Sequence, residues 1–203
     1  MKIYEDSRAP NPRRVRVFLA EKGLDMEYQQ VSIMEGEHKL PEFSRLYPLQ
    51  RLPVLELDDG TLIGETVSIC RYFEEIHPRP ALMGTNALEK ALIDMSQRQV
   101  EFGLLQPIAQ CFRHLHPAMA KLEVPQVAAW GKANEQRALS GMSWLNNELK
   151  ARKFIAGDTF TIADITALIA IDFRKLARIE IPEELENLIK WYENVSLRPS
   201  AAA

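Results

Sequence analysis

The sequence predicts an α+β protein in two parts: a small domain that mixes strands and helices, then an all-helical domain. Three observations support this division. Short strand patterns alternate with helix patterns up to about residue 78, a proline-containing stretch "HPRPALMGTN" follows at 77–86, and only helical periodicity continues beyond it. The domains are therefore expected at 1–78 and 86–203.

The first part is expected to run β-α-β, a short helix, and then β-β-α. "KIYED" and "MEYQQVSI" are strand candidates, and "PVLEL" and "TLIG" flank a hairpin signal at 58–60. A helix is expected from Pro12, because Val15, Phe18 and Leu19 repeat at helical spacing and Gly23 provides a stop. Further helices are expected from Pro41 and from Thr66.

The second part is expected to hold four long helices, at about 88–112, 124–149, 161–176 and from 183 onward. The stretch "FTIADI" explains the start of the third. Thr161 can cap the helix while Asp164, three residues later, reaches back to the amide of the cap, which is a capping box. This motif is interpreted as structural.

Bulk composition excludes several classes of function. The 203 residues carry a formal net charge of −3, so the basic excess of a nucleic-acid-binding protein is missing. We expect no membrane span, because the sequence has no apolar run of about 18 residues, and we also expect no secretory signal.

Cys70 and Cys111 are expected to be buried, reduced thiols of a cytoplasmic protein. His114 and His116 point to different helix faces and have no third ligand nearby, so no metal site is expected.

Three segments of the first part share a binding chemistry: "APNPRRV", "YPLQRLPVLEL" and "GETVSICRYF". Pro53 cannot donate a hydrogen bond within a sheet, so it belongs at a strand start, and a cis bond there would leave the Leu52 backbone open to an extended peptide. Thr66 at a helix start offers amides and a hydroxyl to a carboxylate, and Glu65 beside it can hold an ammonium. Together these groups suit an α-amino acid head group.

The chain resembles a cytosolic glutathione S-transferase over nearly its whole length, most closely the bacterial members similar to the theta, zeta and nu classes. "RLPVLELDDGTLIGETVSICRYFEEIHP" looks like the glutathione-binding core of that family, with Pro53 in the place of its cis-proline. "FTIADI" resembles the capping box of its C-terminal domain. The resemblance implies a thioredoxin-like N-terminal domain followed by an all-α domain.

The resemblance also implies an activity: a cytoplasmic homodimer that presents glutathione thiolate to a small electrophilic substrate, with glutathione as co-substrate and no metal. Glu65 and Thr66 would hold the γ-glutamyl end, and the Leu52 backbone would pair with the central cysteine. His38 and Arg51 would lie near the glycine carboxylate.

Helical residues of the second part have implied roles too. Asp94 matches a position that reaches across a dimer to the γ-glutamyl amine. The helix bordering the second-substrate pocket carries the candidates Phe102, Gln106, Arg113 and His114. Trp130, Trp144 and Trp191 are instead expected to pack in the core or between helices.

The opening segment departs from the family pattern, because Ala9 stands where related proteins place a serine or threonine. A different donor must then stabilise the glutathione thiolate. We predict Asn11 as an N-cap before Pro12, either capping only or capping and donating to the sulfur together. Ser7 is the other catalytic candidate, and Arg13, Arg14 and Arg16 are expected to form a solvated helix face.

Two other functions stay open on the sequence alone. One is a disulfide reductase that uses glutathione itself as its redox partner, a function that the asparagine-bearing relatives suggest. The other is a binding protein of the same fold without turnover, which the missing hydroxyl at Ala9 would favour.

Overall fold

The computed structural model describes residues 1–203 and divides the chain into two compact units. The first unit comprises Met1–Ala81 with Ala202–Ala203, and the second comprises Leu82–Ala201.

The first unit contains a four-stranded mixed sheet and three helices. Its elements are β1 Lys2–Glu5, α1 Pro10–Glu21, β2 Glu27–Gln30, α2 Pro41–Leu46, β3 Val54–Glu56, β4 Leu62–Gly64 and α3 Thr66–Ile76. The strand order is β2-β1-β3-β4, in which β1 and β2 are parallel and the other two pairs are antiparallel. The predicted element order is confirmed, and α1 provides the crossover that a parallel pair requires.

Helix α1 begins two residues earlier than predicted. Its first residue is Pro10 and its N-cap is Ala9, which has extended geometry and no side-chain capping bond. Asn11 is therefore inside the first turn, and the prediction that Asn11 caps the helix is wrong. Both Pro10 and Pro12 are tolerated, because the first N–H groups of a helix have no partner within the helix.

The core of the first unit forms where α1 and α3 pack together. Val15, Phe18 and Leu19 are buried as predicted from their spacing. Lys22, the next residue in this spacing, is also buried, and its ammonium pairs with Glu74 at 2.7 Å. A charge this deep is tolerated because it is paired and also donates to two backbone carbonyls.

The second unit is all-helical, as predicted. Its helices are α4 Ala87–Val100, α5 Gln106–Leu115, α6 Ala128–Glu148, α7 Ile162–Ala177 and α8 Glu186–Ser196. The first predicted helix is divided by a π-helical turn at Glu101–Leu105. Pro107 follows this turn and lacks an N–H, so a regular α-helical bond to Gly103 is impossible there.

The predicted capping box at the start of α7 is confirmed. Thr161 accepts a hydrogen bond from Ala163, and the carboxylate of Asp164 accepts one from the Thr161 amide at 3.0 Å. Asp164 also accepts hydrogen bonds from the Ile155 amide and from Nε1 of Trp191, both at 3.0 Å. The motif therefore joins α7 to α8 and to the preceding loop.

None of the eight helices combines the length and apolar character that crossing a bilayer requires.

Candidate active site

The register of the sheet brings the three predicted binding segments to one edge. Tyr4 pairs with Val54 in the β1–β3 ladder, and Val54 pairs with Gly64 in the β3–β4 ladder. The turn after β1, the Leu52–Pro53 dipeptide before β3 and the start of α3 after β4 therefore lie side by side. Antiparallel pairing is the reason, because the end of one strand then lies beside the start of the next.

The Leu52–Pro53 peptide bond is cis, as the resemblance to the glutathione S-transferase family implied. Pro53 is buried and directly precedes β3. The Leu52 N–H and C=O make no hydrogen bond within the protein. An extended peptide can therefore pair with this backbone.

Glu65 and Thr66 form the junction between β4 and α3. Glu65 is exposed and has φ 66° and ψ 123°, a backbone region that non-glycine residues rarely adopt. Thr66 is the first residue of α3 and is 6% exposed. No side chain of the protein caps this helix start, so its amides are available to an anion.

Tyr47 borders this junction and was missed by the sequence reasoning. A Cβ added to Gly64 would overlap its hydroxyl group. Burial, and then the charge of Glu65, raise the pKa of the Tyr47 phenol. The only sequence signal was the position of Tyr47 within "YPLQRLPVLEL", five residues before Leu52.

The remaining predicted binding residues are placed in two regions. Arg51 is exposed and immediately precedes Leu52, and His38 is buried in a 3₁₀ turn between β2 and α2. Asp94 lies on α4 in the second unit, where its carboxylate accepts a hydrogen bond from Arg98 at 3.0 Å. The ligand contacts assigned to these three residues stay predictions.

The turn between β1 and α1 has little free hydrogen-bonding capacity. The Ser7 amide donates to Gln30 at 3.0 Å, and the Arg8 and Ala9 amides donate to Asp6 at 3.1 and 2.9 Å. The Ser7 hydroxyl is exposed and has no partner in the protein. The amides of Ser7, Arg8 and Ala9 are therefore engaged within the protein.

The start of α1 leaves Asn11 as its only source of free donors. Pro10 and Pro12 have no N–H, and the Arg13 amide donates to the Ala9 carbonyl at 3.3 Å. The Asn11 amide has no carbonyl partner, because its position in the first turn lies too early for a helical bond. Its side chain is exposed and carries two further N–H donors.

Two arginines expected on a solvated face of α1 are directed inward. Arg14 is 2% exposed and donates to Oδ1 of Asn11 at 3.2 Å. Arg16 donates to Glu5 at 2.6 Å and to the carbonyl of Ser7 at 2.9 Å. The expectation of a solvated face is therefore wrong for both. Residues two apart lie on different faces of a helix, so the two side chains have different neighbours. Arg14 contacts Asn11 of its own helix, whereas Arg16 contacts Glu5 at the end of β1 and Ser7 in the following turn.

The second unit contains a cavity of about 1090 Å³, which is lined in part by Phe102, Gln106, Trp130, Arg137 and Trp144. Phe102 and Gln106 were predicted to border a substrate pocket, but Trp130 and Trp144 were expected in packing roles. Trp130 is instead 44% exposed and donates to Gln110 at 3.1 Å. Trp191 is buried, as expected for a packing role.

The side chains of Arg113 and His114 do not line this cavity. Arg113 forms an ion pair with Glu123 at 3.1 Å. His114 and His116 each accept a hydrogen bond from a backbone amide of the following loop.

Both cysteines are buried and free of disulfides, and burial raises the pKa of the Cys70 thiol to about 12.

Comparison with known proteins agrees with this geometry. Residues 9–76 match the profile described as glutathione S-transferase, N-terminal domain, and residues 131–199 match that of the C-terminal domain. The chain is 38% identical over 203 residues to glutathione S-transferase 2 of Saccharomyces cerevisiae, covering 98% of this chain and 87% of the relative. It is 32% identical over 160 residues to a maleylacetoacetate isomerase of Pseudomonas aeruginosa, covering 78% and 70% of the two chains.

Comparison with solved structures also finds glutathione S-transferases. A glutathione S-transferase domain-containing protein from Marinobacter aquaeolei VT8 superimposes with a TM-score of 0.95 at 39% identity, covering 98% of this chain and 99% of that one. The structure of Gtt2 from Saccharomyces cerevisiae gives a TM-score of 0.95 at 38% identity, covering 100% and 99%.

The fold and the sheet edge thus define a glutathione-dependent transferase. The chain belongs to the glutathione S-transferase family, whose members use glutathione as co-substrate. Its activity is the transfer of glutathione to an electrophile, and the reductase and non-catalytic alternatives are not favoured.

Proposed function

We propose that glutathione lies along the sheet edge formed by the turn after β1, the Leu52–Pro53 dipeptide and the start of α3. Glu65 holds the γ-glutamyl ammonium, and the Thr66 amide and hydroxyl hold the neighbouring carboxylate. The Leu52 backbone pairs with the cysteinyl residue, and Arg51 and His38 lie toward the glycine carboxylate. The observation that carries this proposal is the shared register of Tyr4, Val54 and Gly64.

Asn11 is the residue that stabilises the glutathione thiolate. A free thiol has a pKa of about 8.5, and half-ionisation at pH 7 requires about 2 kcal/mol of preferential stabilisation of the anion. A hydrogen bond to a charged acceptor contributes about 1.5–3 kcal/mol, and a helix start about 0.3–1 kcal/mol. One amide donor at the start of α1 is therefore sufficient, and Asn11 supplies both the side chain and the free backbone N–H.

The transfer step is a nucleophilic attack. The thiol proton leaves to solvent, the thiolate forms a new carbon–sulfur bond, and the leaving group of the substrate departs with its electron pair. The protein contributes by positioning the sulfur and keeping it ionised, which accelerates the step without a covalent enzyme intermediate.

Titration of bound glutathione by thiolate absorbance tests this assignment. We expect Asn11→Ala to raise the apparent pKa of the bound thiol by about one unit, which lowers the thiolate fraction up to tenfold. Ser7→Ala is the matched control, because Ser7 is the other predicted donor, and it should leave the pKa unchanged. The opposite pattern would assign the role to Ser7 and refute the proposal for Asn11.

Turnover with two substrates tests the reaction class. We expect measurable glutathione transfer to an aryl halide and a lower rate of reduction of a small glutathionylated disulfide. A preference for the disulfide would reassign the enzyme to the reductase class.

Homodimerisation is supported by an exposed apolar row on α4. Leu88, Leu92 and Met95 are 69%, 44% and 47% exposed and repeat at helical spacing, which is typical of a surface that another chain covers. Asp94 of the same helix then contacts glutathione bound to the partner subunit. Light scattering should give twice the 23.2 kDa chain mass.

The variant Leu92→Glu tests this surface directly, and it should shift the protein toward monomer. Leu197→Glu is the control, because Leu197 is an 83% exposed leucine outside that row. A wild-type monomer would contradict the homodimer.

A cytoplasmic location is supported by the two unpaired, buried cysteines, which suit a reducing compartment.

A further inference from the structure

We propose that Arg14 is a positioning residue that fixes the Asn11 side-chain amide with its NH₂ group turned toward the glutathione sulfur. The inference rests on the proposed role of Asn11 and adds a second residue to it.

The chemistry of the contact determines which end of the amide is free. A guanidinium group has five N–H donors and no acceptor, so it can bond only the oxygen of an amide. Nη1 of Arg14 lies 3.2 Å from Oδ1 of Asn11. With the oxygen held in this way, the two N–H donors of Asn11 form the exposed end of the side chain.

Burial makes Arg14 suitable for this purpose. Its side chain is 2% exposed, whereas Asn11 is exposed. An exposed asparagine without a fixed partner can rotate its amide and present its oxygen instead. An amide oxygen next to a thiolate would oppose ionisation, since both groups carry negative charge density. A confined guanidinium removes this unproductive orientation.

Arg14 can also act through its charge alone, and the two effects must be separated. Its charge acts on the buried Cys70 thiol of α3, where it opposes the rise in pKa that burial causes. A positive charge at this point favours a nearby thiolate whether or not Asn11 is present. The positioning role, in contrast, requires Asn11.

A double-mutant cycle separates the two roles. The proteins are wild type, Arg14→Lys, Asn11→Ala and the double variant, and the readout is the apparent pKa of bound glutathione. Lysine keeps the positive charge but loses the rigid fork. We expect Arg14→Lys to raise the thiol pKa by about the same one unit as Asn11→Ala, and the double variant to show no further rise. The KM for glutathione should stay within about twofold, and kcat should fall about tenfold.

Arg13→Lys is the matched control. It makes the same chemical change one residue away on the same helix, where the guanidinium donates to the Ala203 carbonyl at 3.3 Å, and it should leave the thiol pKa unchanged.

The outcomes distinguish this inference from the proposed function. If Asn11→Ala does not move the thiol pKa, both the role of Asn11 and the inference about Arg14 are refuted. If Asn11→Ala moves it but Arg14→Lys does not, or if the two shifts add in full, the inference alone is refuted.

A measurement on the intact enzyme covers the case in which Arg14→Lys fails to fold. The Asn11 side-chain NH₂ protons can be followed by nuclear magnetic resonance in ¹⁵N-labelled protein. We expect one set of signals that shifts when glutathione is added. Two interconverting sets, or signals that glutathione leaves unchanged, would overturn the proposal.

Discussion

The hydroxyl group of Tyr47 lies directly against Gly64, the last residue of β4, so closely that any larger residue at position 64 would overlap it. The next residue is Glu65, whose charge contributes to the raised pKa of the Tyr47 phenol. Tyr47 therefore forms one wall of the region proposed to hold the γ-glutamyl group.

Gly64→Ala should weaken glutathione binding by displacing the Tyr47 ring from the Glu65–Thr66 junction. We expect the dissociation constant, measured by calorimetry, to rise about tenfold, which corresponds to about 1.4 kcal/mol. The double variant Gly64→Ala/Tyr47→Leu should recover thermal stability, because the overlap is relieved. Unchanged affinity in Gly64→Ala would show that the ring can move without consequence.

Thr66→Val should lower glutathione affinity more than Thr66→Ser. Valine has nearly the same shape as threonine but removes the hydroxyl, and a lost hydrogen bond to a charged group costs about 1.5–3 kcal/mol. Calorimetric titration with glutathione should show a loss of about 10- to 100-fold for valine and less than threefold for serine. Equal affinities for the two variants would exclude the hydroxyl from the carboxylate site.

Gly141→Ala should destabilise the second unit. A Cβ at this position would overlap the backbone carbonyl of Gly103, which cannot move as a flexible side chain can. Overpacking of this kind costs about 1–3 kcal/mol in the free energy of unfolding, measured by urea denaturation. Gly103→Ala is the control because its Cβ would point into open space, and it should be nearly neutral.

Asp164 should make the stability of the protein depend on pH. Burial raises its pKa from 3.8 to about 6, despite hydrogen bonds that favour the carboxylate. Between about pH 4 and 6 the folded state therefore binds more protons at this residue than the unfolded state does. The contribution of Asp164 to the free energy of unfolding is largest below this window and falls as pH rises through it, by up to about 3 kcal/mol.

Other carboxylates have lowered pKa values and change stability in the opposite direction; Asp6, Glu56, Asp59 and Glu89 belong to this group. The test is therefore the difference in unfolding free energy between wild type and Asp164→Asn, measured at pH 4 and pH 7. That difference should shrink at the higher pH. A constant difference would mean that Asp164 has the same pKa in the folded and unfolded states.

Much of the architecture is predictable from local sequence. The alternation of strands and helices, the capping box at Thr161 and Asp164, and the turn at 58–60 depend on neighbouring residues. Short-range hydrogen bonds and backbone preferences control such features, so a single stretch of chain contains the necessary information. The resemblance to the glutathione S-transferase family rested on the same kind of contiguous motif.

Tertiary structure decided what these motifs do together. Sheet register brought Leu52, Pro53 and Glu65 to the edge beside the turn that follows β1 and leads into α1, and no local pattern contains that pairing. The start of α1 at Pro10, the burial of Arg14 and the contact of Tyr47 with Gly64 likewise depend on partners distant in the chain or on the packed interior. By itself the sequence determined which groups are available for glutathione chemistry, because composition and spacing are local. Packing alone decided which of their donors remain free, because that depends on every other hydrogen bond that the folded chain makes.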